Sequence, residues 1–210
     1  MKGYSKTLEK EYYSRNWPVV ALPYLHLEPY LRCWMDPVVF KDKTILTIGA
    51  GECIYSRLIS ERFAPRKVIA SELFRERMLP AVRDNSSPAL SFVAADCYRL
   101  PLRSASCDVV WGSLILHHLP ERRGVVSEIY RVLKPQGLYL GFEPNLFNPV
   151  ILYRFLFGPH SPNQHSLRPS HLDVFRAQGF DLTTTFFYAK FPALRSRILT
   201  TCFGIQAWKV

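Results

Sequence analysis

The stretch that decides the fold is Ile45-Leu46-Thr47-Ile48-Gly49-Ala50-Gly51-Glu52-Cys53. Its first four residues have the apolar and β-branched character of a buried strand, and they run straight into a Gly-x-Gly turn. Gly49 and Gly51 can take backbone angles closed to other residues, and without side chains they let a ligand lie against the main chain. Glu72 ends the next apolar run, at residues 68–71, and an ionised carboxylate suits a pair of ribose hydroxyls. This order of strand, glycine turn, helix and acid is typical of the half-site for a nucleoside cofactor.

Length and composition indicate one globular domain. The chain has 210 residues, of which 48% are hydrophobic and 21% are charged, enough to bury one core and short for two. The net charge of +10 favours nucleic acid, acidic lipid headgroups or anionic substrates as partners. Lys and Arg are scattered singly and in pairs, however, so no specific nucleic-acid partner is expected.

The cysteine pattern and the charged first residues predict a reducing, cytoplasmic setting. Five widely separated cysteines without a Cys-x-x-Cys pair argue against a disulfide framework and against a structural zinc site. The first residues carry charges through Arg15 and form no apolar signal region. No run approaches the roughly 20 apolar residues that span a bilayer, so at most peripheral membrane contact is expected.

Apolar runs and breakers alternate regularly along the chain. The regular alternation predicts parallel βαβ units, and hence an α/β, doubly wound, Rossmann-like sheet. Near the carboxyl terminus two Thr- and aromatic-rich runs leave no room for a helix between them, which predicts an antiparallel hairpin at the sheet edge. The predicted strands are 44–48, 67–71, 90–94, 107–111, 138–142, 182–188 and 199–208, and the predicted helices are 24–35, 55–63, 75–83, 121–133 and 170–178.

Several passages together resemble the class I S-adenosylmethionine-dependent methyltransferases, closest to the type 11 group that includes ubiquinone and menaquinone biosynthesis enzymes. Residues 45–53 resemble the first motif of that family, and Glu72 resembles its ribose-binding acid. Residues 95–102 are similar to the stretch whose Asp meets the adenine, and 107–119 are similar to the fourth strand with its following loop. Residues 128–137 resemble the helix and turn before strand five. The resemblance covers residues 44–179 by motif and the whole chain by element order.

The resemblance implies S-adenosyl-L-methionine as the cofactor and assigns its binding residues one by one. The glycine turn would line the methionine part, Glu72 the ribose, and Ser113 the mouth beside the sulfonium. Asp96 and Cys97 would meet the adenine; the alternative role of Asp96 is to cap the next turn. Asp108 begins strand four at the opposite end of the sheet and is interpreted as structural. The implied cofactor-binding set is Gly49, Ala50, Gly51, Glu72, Leu73, Asp96, Cys97 and Ser113.

Two residues depart from the family pattern. Thr47 stands where the family usually has an acid that organises the methionine end of the cofactor, and Cys53 replaces the usual third glycine. Glu52, within the turn, is a candidate to supply the missing charge. The departures leave the fold prediction intact and bear on cofactor affinity and activity.

Residues 1–210 are interpreted as one methyltransferase domain, and the resemblance implies roles for two segments within it. Residues 1–43 would form an N-terminal helical cover, and the Pro-, Asn- and His-rich stretch 145–169 a substrate loop. His117 and His118 follow strand four and are candidate catalytic bases; the alternative is a pair of helix-start histidines bonded to nearby backbone. The histidine spacing of the loop fits no metal signature. The candidate substrate residues are Tyr13, His160, His165 and Arg168.

The predicted function is methyl transfer to an oxygen, nitrogen or carbon of a small molecule. The aromatic content and the apolar stretch 150–157 fit an apolar or aromatic acceptor, although core packing explains the same residues. One alternative is a nucleic-acid methyltransferase, but residues 111–114 read Trp-Gly-Ser-Leu where amino-directed DNA enzymes carry Asn/Asp-Pro-Pro-aromatic. The other alternative is a non-catalytic protein that kept the fold. Sequence leaves the acceptor and the oligomeric state open.

Overall fold

The computed structural model describes residues 37–157, 165, 167–187, 196–198, 200 and 202–210. The predicted helix 24–35, nearly all of the N-terminal cover, Tyr13 and His160 lie outside these residues.

The described residues form a seven-stranded sheet in the order β3-β2-β1-β4-β5-β7-β6. Strands β1 to β5 are parallel to one another, whereas β7 runs antiparallel to both β5 and β6. The doubly wound sheet and the antiparallel edge hairpin are therefore confirmed, with β6 outermost. The strands are β1 (Thr44–Ile48), β2 (Lys67–Glu72), β3 (Leu90–Ala94), β4 (Cys107–Ser113), β5 (Leu133–Pro144), β6 (Phe180–Phe187) and β7 (Cys202–Lys209).

Helices pack on the sheet between the strands. Helices α1 to α3 agree with the predicted segments to within a residue at each end. No helix of the described residues has the length and apolar character that crossing a membrane requires. The helices are α1 (Ile54–Arg62), α2 (Arg75–Arg83), α3 (Arg122–Val132), α4 (Pro149–Phe157) and α5 (Asp173–Ala177), with 3-10 turns at Pro37–Val39, Leu116–His118 and Pro169–Leu172.

The prediction that residues 145–169 form an irregular loop is wrong in part, because this stretch contains α4. The Asn148 side chain accepts hydrogen bonds from the backbone N–H groups of Val150 and Ile151, at 2.9 and 3.1 Å. Pro149 follows at the first helical position, where its missing N–H costs nothing. Asn-Pro is therefore a helix start here, and not a loop signal. The predicted helix 170–178 is also different: a 3-10 turn precedes the five-residue helix α5.

The sheet is buried on both faces, which explains the continuous apolar runs in its strands. Along β1, Ile45 belongs to one hydrophobic cluster and Leu46 to the other, because successive side chains of a strand point to opposite faces. Trp111 and Tyr139 are the largest fully buried side chains, one on each face. The two cores hold the strand ends in place.

The two ends of the sheet have different chemistry. At the end where β4 begins, Asp108 accepts hydrogen bonds from the Thr44 backbone and from Lys134, both at 2.8 Å, as expected of a structural residue. At the opposite, carboxyl end, chain order reverses between β1 and β4, and the crevice at such a reversal is where open α/β sheets bind ligands.

Candidate functional site

The glycine turn after β1 is left-handed at three positions. Gly49, Gly51 and Cys53 have φ angles of 58°, 56° and 61°. Two hydrogen bonds join the turn to the end of β2: Ala50 N–H donates to the Ser71 carbonyl at 2.9 Å, and Gly51 N–H donates to Glu72 Oε2 at 2.8 Å. The turn is therefore held at the carboxyl edge of the sheet with its backbone at the crevice.

Glu72 is the acid at the centre of this arrangement. Its side chain is only 4% exposed, and besides Gly51 it accepts the Phe74 backbone N–H at 3.2 Å. Arg77, on α2, approaches the same carboxylate, with Nη1 3.6 Å from Oε2. The predicted ribose acid is thus also the residue that fixes the glycine turn, a role that the sequence did not reveal.

Two side chains lie over the glycines. A Cβ atom on Gly51 would come within 2.8 Å of Arg77 Nη2, and one on Gly49 would collide with the Ile115 side chain. Arg77 Nη2 is the far end of a flexible side chain and can move aside, so Gly51 is required by its left-handed backbone, whereas the Gly49 contacts extend back to Ile115 Cβ, so close approach adds to the same backbone requirement there. Arg77 and Ile115 form the walls of the turn.

The two departures from the family pattern have local explanations. Thr47 is buried, and its hydroxyl lies 2.7 Å from the Ser56 hydroxyl on α1, so a neutral hydrogen bond occupies the place of an acid. Cys53 keeps the left-handed conformation of a glycine while its side chain packs in the core. Burial, with a further contribution from the Glu72 charge, raises the pKa of Cys53 to about 12. The thiol is therefore protonated at neutral pH.

The remaining predicted cofactor residues lie at the carboxyl ends of β2, β3 and β4. Asp96 accepts the Tyr98 backbone N–H at 3.0 Å and so makes the turn-capping bond that was the alternative to an adenine contact. Ser113 ends β4 and accepts a hydrogen bond from Trp111 Nε1 at 3.2 Å. Leu73 and Cys97 are partly buried. Burial raises the pKa of Glu52, and the Arg77 charge partly offsets that rise.

A buried pair beside the turn joins the candidate base His117 to Glu143, which was not predicted from the sequence. Glu143, at the end of β5, is fully buried and lies 2.6 Å from His117 Nδ1 through Oε2. Its other oxygen accepts the backbone N–H groups of Ile115 and Leu116 at 3.1 and 2.8 Å. Glu143 therefore fixes the loop that carries Ile115 over Gly49. The one signal in the sequence is an acid after an apolar strand, at the ligand-binding end of the sheet.

Burial dominates the ionisation of this pair. It raises the pKa of Glu143 to about 8, against the lowering effect of the backbone donors, and it lowers the pKa of His117 to about 3, together with the Arg122 and His165 charges. The pKa of His118 is also lowered, by burial and then by His117 and Arg77. At neutral pH the imidazole rings are therefore uncharged.

The structure brings the candidates His117, His118 and His165 together, whereas Arg168 makes no described contact with them. The His117 and His118 rings pack at a tilt with their centroids 4.1 Å apart, and the backbone N–H of His165 donates to the His117 carbonyl at 2.6 Å. Arg168 is exposed, and its backbone N–H donates to His171 at 3.4 Å. Within the described residues, no group of three or more His, Cys, Asp or Glu side chains is arranged to hold a metal ion.

This geometry agrees with comparisons to known proteins. The family model of a methyltransferase domain matches residues 46–141. Among curated proteins, a malonyl-[acyl-carrier protein] O-methyltransferase from a Marinomonas species is 35% identical over 94 residues, covering 44% of this chain and 35% of that protein. A sterol 24-C-methyltransferase from Pneumocystis carinii is 40% identical over 62 residues, covering 30% of this chain and 16% of that protein. The matches to the first three curated relatives span 35–39% of their lengths.

Solved structures match over nearly the whole chain. A methyltransferase from Haloferax volcanii, described as putative and solved with the Trm112 methyltransferase activator, has a TM-score of 0.76 at 15% identity and covers 97% of this chain and 96% of its own. An S-adenosylmethionine-dependent methyltransferase from Aquifex aeolicus has a TM-score of 0.70 at 16% identity, with 94% and 98% covered. The fold is therefore that of the class I methyltransferases. Residues 46–141, the part of the chain that matches the methyltransferase-domain family, include the glycine turn, Glu72, Asp96 and Ser113.

The residues present fit S-adenosylmethionine. The partly buried backbone of a left-handed glycine turn, a buried acid at the end of β2 and a polar side chain after β3 stand at neighbouring strand ends around the switch point. These are a backbone surface and hydrogen-bond acceptors of the kinds that a nucleoside and an amino-acid moiety require.

Proposed function

We propose that this chain transfers the methyl group of S-adenosylmethionine to a small-molecule acceptor at oxygen, nitrogen or carbon. The observation that carries the proposal is the hydrogen bond between Glu72 and the Gly51 backbone, which unites the acid and the glycine turn in one site. The names of the relatives, a malonyl-[acyl-carrier protein] O-methyltransferase and a sterol methyltransferase, support acceptors of this general kind.

Each part of the site has a proposed task. Gly49, Ala50 and Gly51 would hold the methionine portion, Glu72 the ribose, and Asp96 with Cys97 the adenine, while Leu73 would also contact the cofactor. Ser113 would border the reacting sulfonium. When bound, the cofactor supplies an electrophilic methyl group, and positioning the acceptor in line with it provides much of the acceleration. For that reason no dedicated base is assigned, and His117 and His118 remain candidates only.

The Glu143 and His117 pair acts in this proposal as a support for the site. Its hydrogen bonds hold residues 115 and 116, and Ile115 in turn lies against Gly49. The histidine is 6% exposed and uncharged at neutral pH, so its contribution is to fix the loop. His165 and Arg168, with Tyr13 and His160 outside the described residues, stay proposed substrate residues. The cytoplasmic setting likewise stays a proposal.

Calorimetry with S-adenosylmethionine tests the cofactor part of the proposal. Binding in the micromolar range is expected, and absence of binding at millimolar cofactor contradicts it. A methyl-transfer assay with a panel of carboxylic, sterol and phenolic acceptors tests the reaction. Tight cofactor binding without transfer to any acceptor favours a non-catalytic homologue. Methylation of RNA or DNA instead favours the nucleic-acid alternative.

A further inference from the structure

Helix α4 presents large apolar side chains to solvent. Val150, Tyr153, Leu156 and Phe157 are 63%, 65%, 56% and 72% exposed, and no residue of the helix is buried. A contiguous exposed apolar patch of this kind marks an interaction site, whereas single exposed apolar residues are ordinary.

One face of α4 carries most of this surface. Val150, Tyr153, Arg154 and Phe157 follow the i, i+3, i+4, i+7 spacing that places side chains on one side of a helix. The rings of Tyr153 and Phe157 lie 5.1 Å apart, and Arg154 is exposed at one edge of the same face. The face is therefore apolar and aromatic with a cation at its edge.

A second segment extends this face at the start of α4. The Arg197 guanidinium lies 4.0 Å above the Phe147 ring, and the Asn145 side chain donates to the Arg197 carbonyl at 2.8 Å. These contacts hold residues 196–198 beside the start of α4, where Ile198 is 60% exposed. Val150, Tyr153, Arg154, Phe157, Arg197 and Ile198 together are called the α4 surface below.

The charge around the α4 surface has one dominant sign. The six residues of the α4 surface include two cations, Arg154 and Arg197, and no acid, and the chain as a whole carries a net charge of +10. An anionic partner is therefore favoured by charge complementarity. A second copy of the chain is disfavoured, because an isologous contact would bring each cationic surface against itself.

We propose that the α4 surface binds the anionic headgroup region of a phospholipid bilayer. The nine residues of α4 are about 14 Å long, less than half of the roughly 30 Å hydrocarbon core, so the helix would lie in the plane of the interface. Its apolar side chains would enter the acyl boundary, Tyr153 would sit at the headgroup level, and Arg154 and Arg197 would meet lipid phosphates.

Vesicle co-sedimentation of the full chain tests the proposal. The expected result is binding to vesicles of phosphatidylglycerol and phosphatidylcholine in equal parts, weaker binding to pure phosphatidylcholine, and loss of binding at high salt. The paired change Tyr153→Ser with Phe157→Ser should weaken binding to anionic vesicles at least about tenfold, and Arg154→Gln with Arg197→Gln severalfold.

Val38→Ser is the matched control, because Val38 is 69% exposed on the turn before β1 and lies outside the α4 surface. Circular dichroism and cofactor calorimetry identify a misfolded variant, and a surface variant that keeps its fold and cofactor affinity still tests the proposal. Absence of binding of the unmodified chain to anionic vesicles overturns the proposal, as does unchanged binding of the Tyr153 and Phe157 variant. Concentration-dependent dimerisation that the same variant abolishes also overturns it, by assigning the surface to a second copy.

Discussion

Glu72 and Gly51 are joined by a hydrogen bond of 2.8 Å in which a buried carboxylate accepts a backbone N–H of the glycine turn. The bond spans two neighbouring strands, so the end of β2 fixes the shape of the loop after β1. Arg77 approaches the same carboxylate oxygen from α2. Glu72 therefore has a structural and a proposed binding role in one side chain.

Replacing Glu72 by Ala should weaken S-adenosylmethionine binding by about 1–3 kcal/mol, because charged hydrogen bonds to the ribose are lost. Titration calorimetry measures the change. The variant also loses the bond to Gly51, so its thermal midpoint should fall. Glu61→Gln, on the exposed side of α1, is the control and should change neither quantity. An unchanged dissociation constant for the Ala variant would refute the ribose role.

Replacing Arg77 by Gln should tighten cofactor binding by about 1 kcal/mol, or roughly fivefold. The Arg77 guanidinium stands over Gly51, and its positive charge opposes that of the sulfonium. Calorimetry is done with S-adenosylmethionine and with the product S-adenosylhomocysteine, whose sulfur is uncharged. Since charge repulsion acts on the sulfonium, the gain in affinity should appear with S-adenosylmethionine and not with S-adenosylhomocysteine. Arg83→Gln, at the end of the same helix, is the control. Weaker binding in the Arg77 variant would show that Arg77 holds the cofactor.

At Cys53, replacement by Gly should leave the protein more stable than replacement by Ala, the opposite of the order expected within a helix. Cys53→Ala loses the contacts of a buried thiol and should lower the free energy of unfolding by about 1–2 kcal/mol. The alanine still has to adopt the left-handed backbone conformation of residue 53. Cys53→Gly relaxes that backbone by about 1 kcal/mol and should be the more stable of the two variants. At Ser60, within α1, Gly should instead be less stable than Ala by about 0.5–1 kcal/mol. Denaturant unfolding of the four variants gives the comparison, and the same order at both sites contradicts it.

The Glu143 and His117 pair should give stability a characteristic pH dependence. Burial raises the pKa of Glu143 from its ordinary value of 4.5 to about 8, so its stabilising contribution is complete below 4.5 and is lost as pH rises through 8. The pKa of His117 is lowered from 6.5 to about 3, so its contribution is lost as pH falls through that range.

Glu143→Gln keeps a donor and an acceptor but cannot ionise, and it should remove the loss of stability on the alkaline side. Urea unfolding of both proteins from pH 5 to about pH 9 measures the difference. As pH rises, the free energy of unfolding of the Glu143→Gln variant should increase relative to that of the unmodified chain, while Glu61→Gln shows no such trend. If the difference in free energy of unfolding between the two proteins stays constant over this pH range, Glu143 does not ionise within it as its raised pKa predicts.

The regular part of the fold could be predicted from local patterns. The strand at 44–48, the helix at 75–83 and the strand at 90–94 have the predicted bounds because apolar runs and clear breakers define them. α4 was missed because Asn148-Pro149 is both a turn signal and a helix start, and only the Asn148 hydrogen bonds distinguish the two. The short α5 was predicted too long because its first turn is a 3-10 turn.

The sequence by itself determined the glycine turn, the acid after β2 and the class of fold, because these depend on backbone freedom and on the period of apolar residues along the chain. Tertiary structure decided what the motif residues contact. Glu72 meets Gly51 across 21 positions and Glu143 meets His117 across 26, and such pairs depend on strand order and helix packing. Burial depends on the same packing, and it is burial that shifts the pKa values of Glu143 and His117.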